Sequence, residues 1–354
     1  MYILNQIVGN ADEVLFSPDR DNCTEPYITM KNALAQMGYR CETVKDQPID
    51  EVAWVLFWDM DGVTPRNPLA RLKYNLRMLR AGGHARNILA EAKRTGGRVK
   101  TALLMFEPPS VSPRNWDLRE HENFDLVFTW DPALVNDTKY SQIYLPSPVE
   151  FPKPPPVAFS ERKLLVDITS NKQNRHANSL SNFRRDTIVY FSKHHPAEFD
   201  LYGFGWNPSF RRWLFMQLQG SKTYLGKILS YRGAASSKAE IYSRYKFSIC
   251  FENMQGQHGY VSLKILDAIR SGCVPIYLGS PDIEKYIPVE AFVDRRRFDS
   301  NAELHKYLSS MTESTYRKFN EAGVQMFESG AADKFLSPFF SNSIVSRLHL
   351  PVLG

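Results

Sequence analysis

Four stretches of the chain set reactive side chains at the ends of apolar runs. In the second half, Phe247 to Phe251 is a short apolar strand that leads into Glu252-Asn253 and a polar loop ending at Gly259. Val261, Ile265, Leu266 and Ile269 then recur at helical spacing, and Gly272 falls where that helix would end. Lys264 lies in the first turn, where backbone N–H groups and the helix dipole already favour an anion. Chemistry alone suggests a phosphate-bearing ligand. Arg184 and Arg185 open another helical segment after the polar loop 170–182. Their planar forks of donors suit a diphosphate, and a solvated helix start fits the same pattern equally well. Glu107 ends a third apolar run and precedes Pro108-Pro109. A carboxylate held there at a sheet rim can deprotonate a hydroxyl, with partial burial raising its pKa; the plainer reading is a solvated strand-end Glu. Asp59 and Asp61 follow a fourth run, and paired carboxylates can hold a divalent metal, although a structural turn accounts for them more simply. Arg295-Arg296-Arg297 reads as a solvated turn. His194-His195 has no second cluster at ligand spacing, so no metal site is expected.

These side chains need strands to end beside one another. Strands are expected over 2–8, 41–44, 53–60, 99–106 and 125–130, with helices over 25–37 and 66–94, the latter broken at Gly82-Gly83. That alternation predicts one doubly wound α/β domain over 1–150. FPKPPPVAF, residues 151–159, carries four prolines and cannot join a helix or a central strand, so 151–160 is a linker. A second series follows over 161–330. Its strands fall at 164–168, 199–202, 247–251, 274–278 and 291–294, and its helices at 184–194, 261–270, 301–309 and 313–329. Residues 331–354 form a tail expected to pack back on the body. The fold class is α/β, with two Rossmann-like domains.

Composition narrows the class further. At 43% hydrophobic and 23% charged, the 354 residues can build ordinary globular cores. The net charge of +6 is spread among acids. It is compatible with a mixed surface or with attraction to phosphorylated substrates or an anionic membrane. No basic tract points to nucleic acid. The four cysteines form no CxxC pair, and Cys250 and Cys273 sit in apolar runs as buried thiols. MYILNQIVGN shows neither a basic start nor a long apolar run, so a cytoplasmic protein is expected.

Two resemblances bear on function. Asp59-Met60-Asp61-Gly62-Val63-Thr64 resembles the nucleophile motif of haloacid-dehalogenase-like phosphatases, without the later Lys and acidic pair in an obvious context. FENMQGQHGYVSLKILDAIRSGCVPIYLGSP, residues 251–281, is similar to the signature of the α-1,3/1,4-fucosyltransferases. Tyr231 to Gly233, Lys238, Tyr245 to Phe247 and Ala291-Phe292-Val293 match that family too. So do FEPPSVSPR (106–114), ITSN (168–171) and DLYG (200–203). The resemblance is strong over about 98–300. It implies a GT-B fold, two Rossmann-like domains facing across a cleft, and inverting transfer of fucose from GDP-fucose, or a related GDP-sugar, to a glycan hydroxyl. By the same resemblance Glu107 is the catalytic base. Arg185 and Lys264 neutralise the pyrophosphate, and Glu252, Asn253, Tyr260 and Ser262 line the donor site. No metal cofactor is obligatory. The partners implied are the nucleotide sugar and an oligosaccharide or glycolipid acceptor, with peripheral contact to the inner face of a membrane.

One position departs from the family: its Thr-Glu-Lys is Ser262-Leu263-Lys264 here. Leu263 cannot supply that Glu's hydrogen bonds, each worth about 1.5–3 kcal/mol when charge-assisted. Compensation nearby, a different deoxysugar or reduced activity would each answer the loss. The alternatives to a transferase are an Asp59/Asp61-dependent phosphatase-like hydrolase and a non-catalytic nucleotide-sugar-binding protein.

Overall fold

The structure is a computed structural model that describes residues 1–6, 15–17, 20–65, 67–80, 86–172, 174–206 and 228–353. The chain divides into two compact units, one made of Met1–Glu150 with Asp333–Gly354 and the other of Phe151–Ala332.

The first unit holds a six-stranded sheet of order β2-β1-β3-β4-β5-β6. The strands are β1 (Tyr2–Gln6), β2 (Arg40–Thr43), β3 (Val52–Trp58), β4 (Lys100–Leu104), β5 (Leu126–Thr129) and β6 (Tyr140–Gln142). Every pairing is parallel. Parallel sheets are covered on both faces, which is why β3 reads VAWVLFW with hardly a polar residue. Its period of two splits that run between two cores. Trp54, Leu56 and Trp58 join Met30 and Leu34 of α1 (Glu25–Gln36) on one face. Val55 and Phe57 join Ile88 and Ala92 on the other. Gly38 ends α1 at φ +86°, a conformation that favours glycine.

The expected 66–94 helix is two helices among the described residues, α2 (Pro68–Arg80) and α3 (Ile88–Arg94). The Asn87 side chain starts α3 by accepting from Ala90 N–H. The expected Gly82-Gly83 break and residues 7–8 of the first strand lie outside the described residues. The short helix α4 (Leu118–His121) precedes β5. β6 was not anticipated, because Tyr-Ser-Gln has no apolar run to signal a strand.

The second unit holds five parallel strands in the order β11-β10-β9-β7-β8. They are β7 (Lys163–Ile168), β8 (Phe199–Tyr202), β9 (Tyr245–Phe251), β10 (Val274–Leu278) and β11 (Val293–Asp294). On one face α5 (Ser181–His194) supplies Ile188 and Phe191 to a core with Leu165, Phe247, Ile249 and Phe251. On the other, Tyr242 of α6 (Lys238–Tyr242) and Ala268 of α7 (Leu263–Arg270) pack with Val166, Cys250 and Cys273. α8 (Asn301–Ser309) and α9 (Glu313–Glu328) also belong to this unit. α10 (Ser337–Val345) belongs to the first unit, where Phe340 and Ile344 enter its core. The thiols of Cys41, Cys250 and Cys273 are buried and unbridged.

Candidate functional site

In the second unit the first and third strands, β7 and β9, are neighbours, and the chain departs from them in opposite directions across the sheet. Open parallel sheets bind ligands at such a switch point, beyond the carboxyl ends of the strands. Both ends are laced to their surroundings. After β7, Thr169 N–H donates to Tyr202 O at 2.9 Å, and Asn171 N–H to Phe204 O at 2.8 Å. The Trp206 indole donates to Thr169 O at 2.7 Å. The ITSN and DLYG stretches therefore meet here, and a Cβ on Gly203 would collide with Thr169 O. After β9, Leu180 N–H donates to Asn253 O at 3.2 Å and Gln255 N–H to Asn178 O at 2.9 Å. The loop that opens α5 is thus tied to the loop that leaves β9.

Glu252 is the fixed point of this end. It is fully buried, and its Oε1 accepts from Ser262 N–H at 2.8 Å. Its Oε2 accepts from the Ser262 hydroxyl at 2.6 Å and from Lys264 Nζ at 3.1 Å. Lys264 also donates to Ser262 Oγ at 3.1 Å. An ammonium carries three N–H bonds; two hold Lys264 at the head of α7, and the third has no partner among the described residues. A Cβ on Gly279 would come 2.8 Å from Glu252 Cβ, so glycine there lets the carboxylate in. Asn253 Nδ2 donates to the Tyr260 hydroxyl at 3.3 Å, and Tyr260 is buried. Leu263, the first residue of α7, is half-buried beside this cluster. Asp282 accepts from Gly259 N–H at 3.2 Å and from the Ser280 hydroxyl at 2.6 Å, pinning the loop between.

Of the two arginines, Arg184 faces this end directly. Its Nη2 donates to Phe251 O and Glu252 O, both at 2.6 Å, and its Nη1 to Thr169 Oγ1 at 3.2 Å. Arg185 is also buried, with Nη1 donating to Asn182 Oδ1 at 3.3 Å, and burial lowers its pKa. A solvated helix start does not describe either side chain. Sequence reasoning missed Asp167, which the apolar run of β7 concealed. It is buried, its Oδ2 has no hydrogen-bond partner among the described residues, and burial raises its carboxyl to about 7 against the pull of Arg184 and Lys264.

In the first unit, Glu107 is half-buried just beyond β4. Asp59 builds its support. Asp59 Oδ1 accepts from Phe106 N–H at 2.8 Å and Glu107 N–H at 3.1 Å, and it also receives Asn115 Nδ2. Asn115 Nδ2 and the Trp116 indole donate to Glu107 O at 3.2 and 3.3 Å. Burial raises the Asp59 pKa while those donors oppose it. A carboxylate oxygen engaged by two backbone amides in a buried turn is a clamp for the Glu107 segment. These bonds give Asp59 a structural role in holding the Glu107 segment without invoking phosphoryl or metal chemistry. Asp59 also holds φ +56°, a strained conformation outside glycine.

Two further clusters depart from the expectations. Arg295 is buried, with Nη1 donating to Phe298 O at 2.5 Å, so the 295–297 run is only partly a solvated turn. His195 has the neighbours that sequence spacing withheld: Glu198 and His305 bring ligand-type atoms within 4.8 Å of one another.

Two parallel-sheet α/β units in one chain are the composition of the GT-B glycosyltransferases. A crystal structure of an α1,3-fucosyltransferase matches with a TM-score of 0.51 at 19% identity, covering 99% of this chain and 90% of that one. An α-glucosyltransferase in complex with UDP and a 13-mer DNA matches at 0.56 and 11% identity, covering 99% of both chains. These likenesses concern the fold. Residues 162–321, within the second unit, match the model of glycosyltransferase family 10 (fucosyltransferase), C-terminal part. The α-(1,3)-fucosyltransferase FucT of Helicobacter pylori is 47% identical over 75 residues, which are 20% of this chain and 16% of that protein.

Proposed function

We propose that the chain is an inverting glycosyltransferase that moves fucose, or a related deoxysugar, from a GDP-sugar to a hydroxyl of an oligosaccharide or glycolipid. The observation that carries this reading is Lys264, held by Glu252 and Ser262 at the head of α7, at the switch point of the unit that matches the family 10 model. In this reading the acceptor hydroxyl gives its proton to Glu107. Its oxygen attacks the sugar's anomeric carbon from the side opposite GDP, and the bond to GDP breaks with its electron pair on the phosphate. Lys264, Arg185 and the N-terminal end of α7 oppose that growing negative charge, so no metal is obligatory. Arg184, through its bonds to the carbonyls of Phe251 and Glu252, sets the position of Asn253. Asn253, Tyr260, Glu252 and Ser262 shape the donor pocket, and Leu263 tunes which deoxysugar is used.

GDP release from GDP-fucose and related donors, measured with and without EDTA, tests the reading. The expected result is acceptor-dependent, EDTA-resistant turnover. Glu107→Gln should keep GDP affinity and lose transfer by about 10²–10⁴-fold, the usual contribution of a general base. Lys264→Met should lower both. GDP binding without turnover for any donor would instead favour a nucleotide-sugar-binding protein, and full activity in Glu107→Gln would remove the base assignment.

The same reading places the protein in the cytoplasm, in contact with the inner face of a membrane. Support comes from α2, whose Leu69, Leu72 and Leu76 are exposed beside Arg71 and Lys73.

A further inference from the structure

The amino end of α5 faces the switch point, and its carboxyl end, at the amino ends of the strands, carries a second constellation. His195 follows the last residue of α5, Glu198 immediately precedes β8, and His305 lies in α8. The His195 and His305 rings stack with centroids 3.5 Å apart and planes inclined by 18°. Glu198 Oε2 is 2.7 Å from His305 Nε2 and 3.5 Å from His195 Nδ1.

We propose that His195, Glu198 and His305 form a binding site for one divalent transition-metal ion of the Zn²⁺ class. Two imidazole nitrogens and one carboxylate oxygen suit such an ion, whereas Ca²⁺ and Mg²⁺ prefer oxygen alone. Bonds of about 2.0–2.1 Å in a tetrahedron place ligand atoms about 3.3–3.4 Å apart. The pair His195 Nδ1 and Glu198 Oε2, at 3.5 Å, already fits. The pair His305 Nε2 and Glu198 Oε2, at 2.7 Å, must open, and the two rings must splay out of their 3.5 Å stack, because imidazole lone pairs lie in the ring planes; the Glu198 side chain is 45% exposed and able to turn. The backbone carrying the ligands is held: Glu198 N–H and Phe199 N–H donate to His195 O at 3.0 and 3.2 Å. Phe191 packs against both imidazoles, with centroids 5.9 and 6.2 Å away. The His side chains are about one-fifth exposed, at 22% and 19%, so solvent can supply the fourth ligand.

Binding replaces any proton held between an imidazole and Glu198. That proton leaves to solvent, and each nitrogen facing the ion donates its lone pair. The ion then ties the α5–β8 turn to α8. α5 has fourteen residues and is about 21 Å long at 1.5 Å per residue, so the ion lies far from Lys264 and acts as a staple rather than in transfer.

Calorimetric titration of the full-length, untagged chain with Zn²⁺, after treatment with EDTA and its removal, tests this. One equivalent should bind to the wild type, and Co²⁺ in its place should give the visible absorption of a four-coordinate ion. Free Zn²⁺ a hundredfold above Kd should raise Tm by roughly 5–10 °C. His305→Ala and the milder His195→Gln should each lose that equivalent and the Tm rise, while keeping the far-ultraviolet dichroism of the wild type and its GDP affinity. Failure of the wild type to take up one equivalent, or uptake and Tm rise undiminished in both folded variants, would overturn the site.

Discussion

Asp167 places an ionisable group inside the sheet of the second unit, near Arg184 and Lys264 and with Tyr242 and Cys250 as its other titratable neighbours. Burial raises its pKa from 3.8 to about 7, so between those values the native chain holds a proton that the unfolded chain has released. Stability from this group is therefore fullest below about pH 4, declines as pH rises to about 7, and is level above that. Asp167→Asn keeps the shape and removes the ionisation. We expect it to match the wild type at pH 4 and to be more stable at pH 8 by on the order of 2–4 kcal/mol, read by denaturant unfolding at both values. A wild type that grows more stable from pH 4 to 7 relative to Asp167→Asn would contradict the assignment. Its role was hidden in the sequence because a single acid in Leu-Leu-Val-Asp-Ile does not disturb the apolar pattern of a buried strand.

At the scale of elements, apolar runs revealed most central strands, because a strand covered on both faces has little choice of residue type. β6 lies at a sheet edge and carries two polar residues of three, so its membership depends on pairing with β5 and not on its own pattern. Which candidate side chains meet was legible where one short segment carries them, as in Glu252, Ser262 and Lys264. It was illegible where distant segments converge: Asp59 meets Glu107 across 48 positions, and Glu198 meets His305 across 107. The α2 helix shows the opposite problem, a local pattern with no tertiary answer among the described residues. Tyr74 is buried and donates to Gly62 O at 3.0 Å, yet Leu69, Leu72 and Leu76 are exposed at spacings of three and four. A cationic helix with an apolar face and no acidic residue suits an anionic lipid surface. Leu72→Asp should reduce cosedimentation with phosphatidylserine-containing vesicles several-fold and leave turnover on a water-soluble acceptor unchanged. Undiminished sedimentation, or none by the wild type, would remove α2 as a lipid-binding face.

For the whole molecule, the consequential feature is that the chain crosses into its second unit and comes back. The prolines of 151–159 mark the outward passage, and the return at Asp333 has no comparable signal. After it, Ser147 N–H donates to Phe335 O at 2.6 Å and Leu353 N–H to Met37 O at 2.9 Å. Phe340 is 1% exposed and packs edge-on to Tyr27, with ring centroids 6.0 Å apart. The first unit is thus built from both ends of the described chain, while the Glu252–Lys264 cluster lies wholly in the second. Phe340→Ala should cost the first unit about 3–5 kcal/mol, as for a buried Phe truncated in a packed core. Scanning calorimetry should then show one transition shifted down and a second left in place. GDP should raise only the second, since a ligand stabilises the unit that binds it. Loss of GDP affinity in the variant at a temperature where it remains folded would mean that the units are energetically coupled, and the second could not be treated as a self-contained nucleotide site.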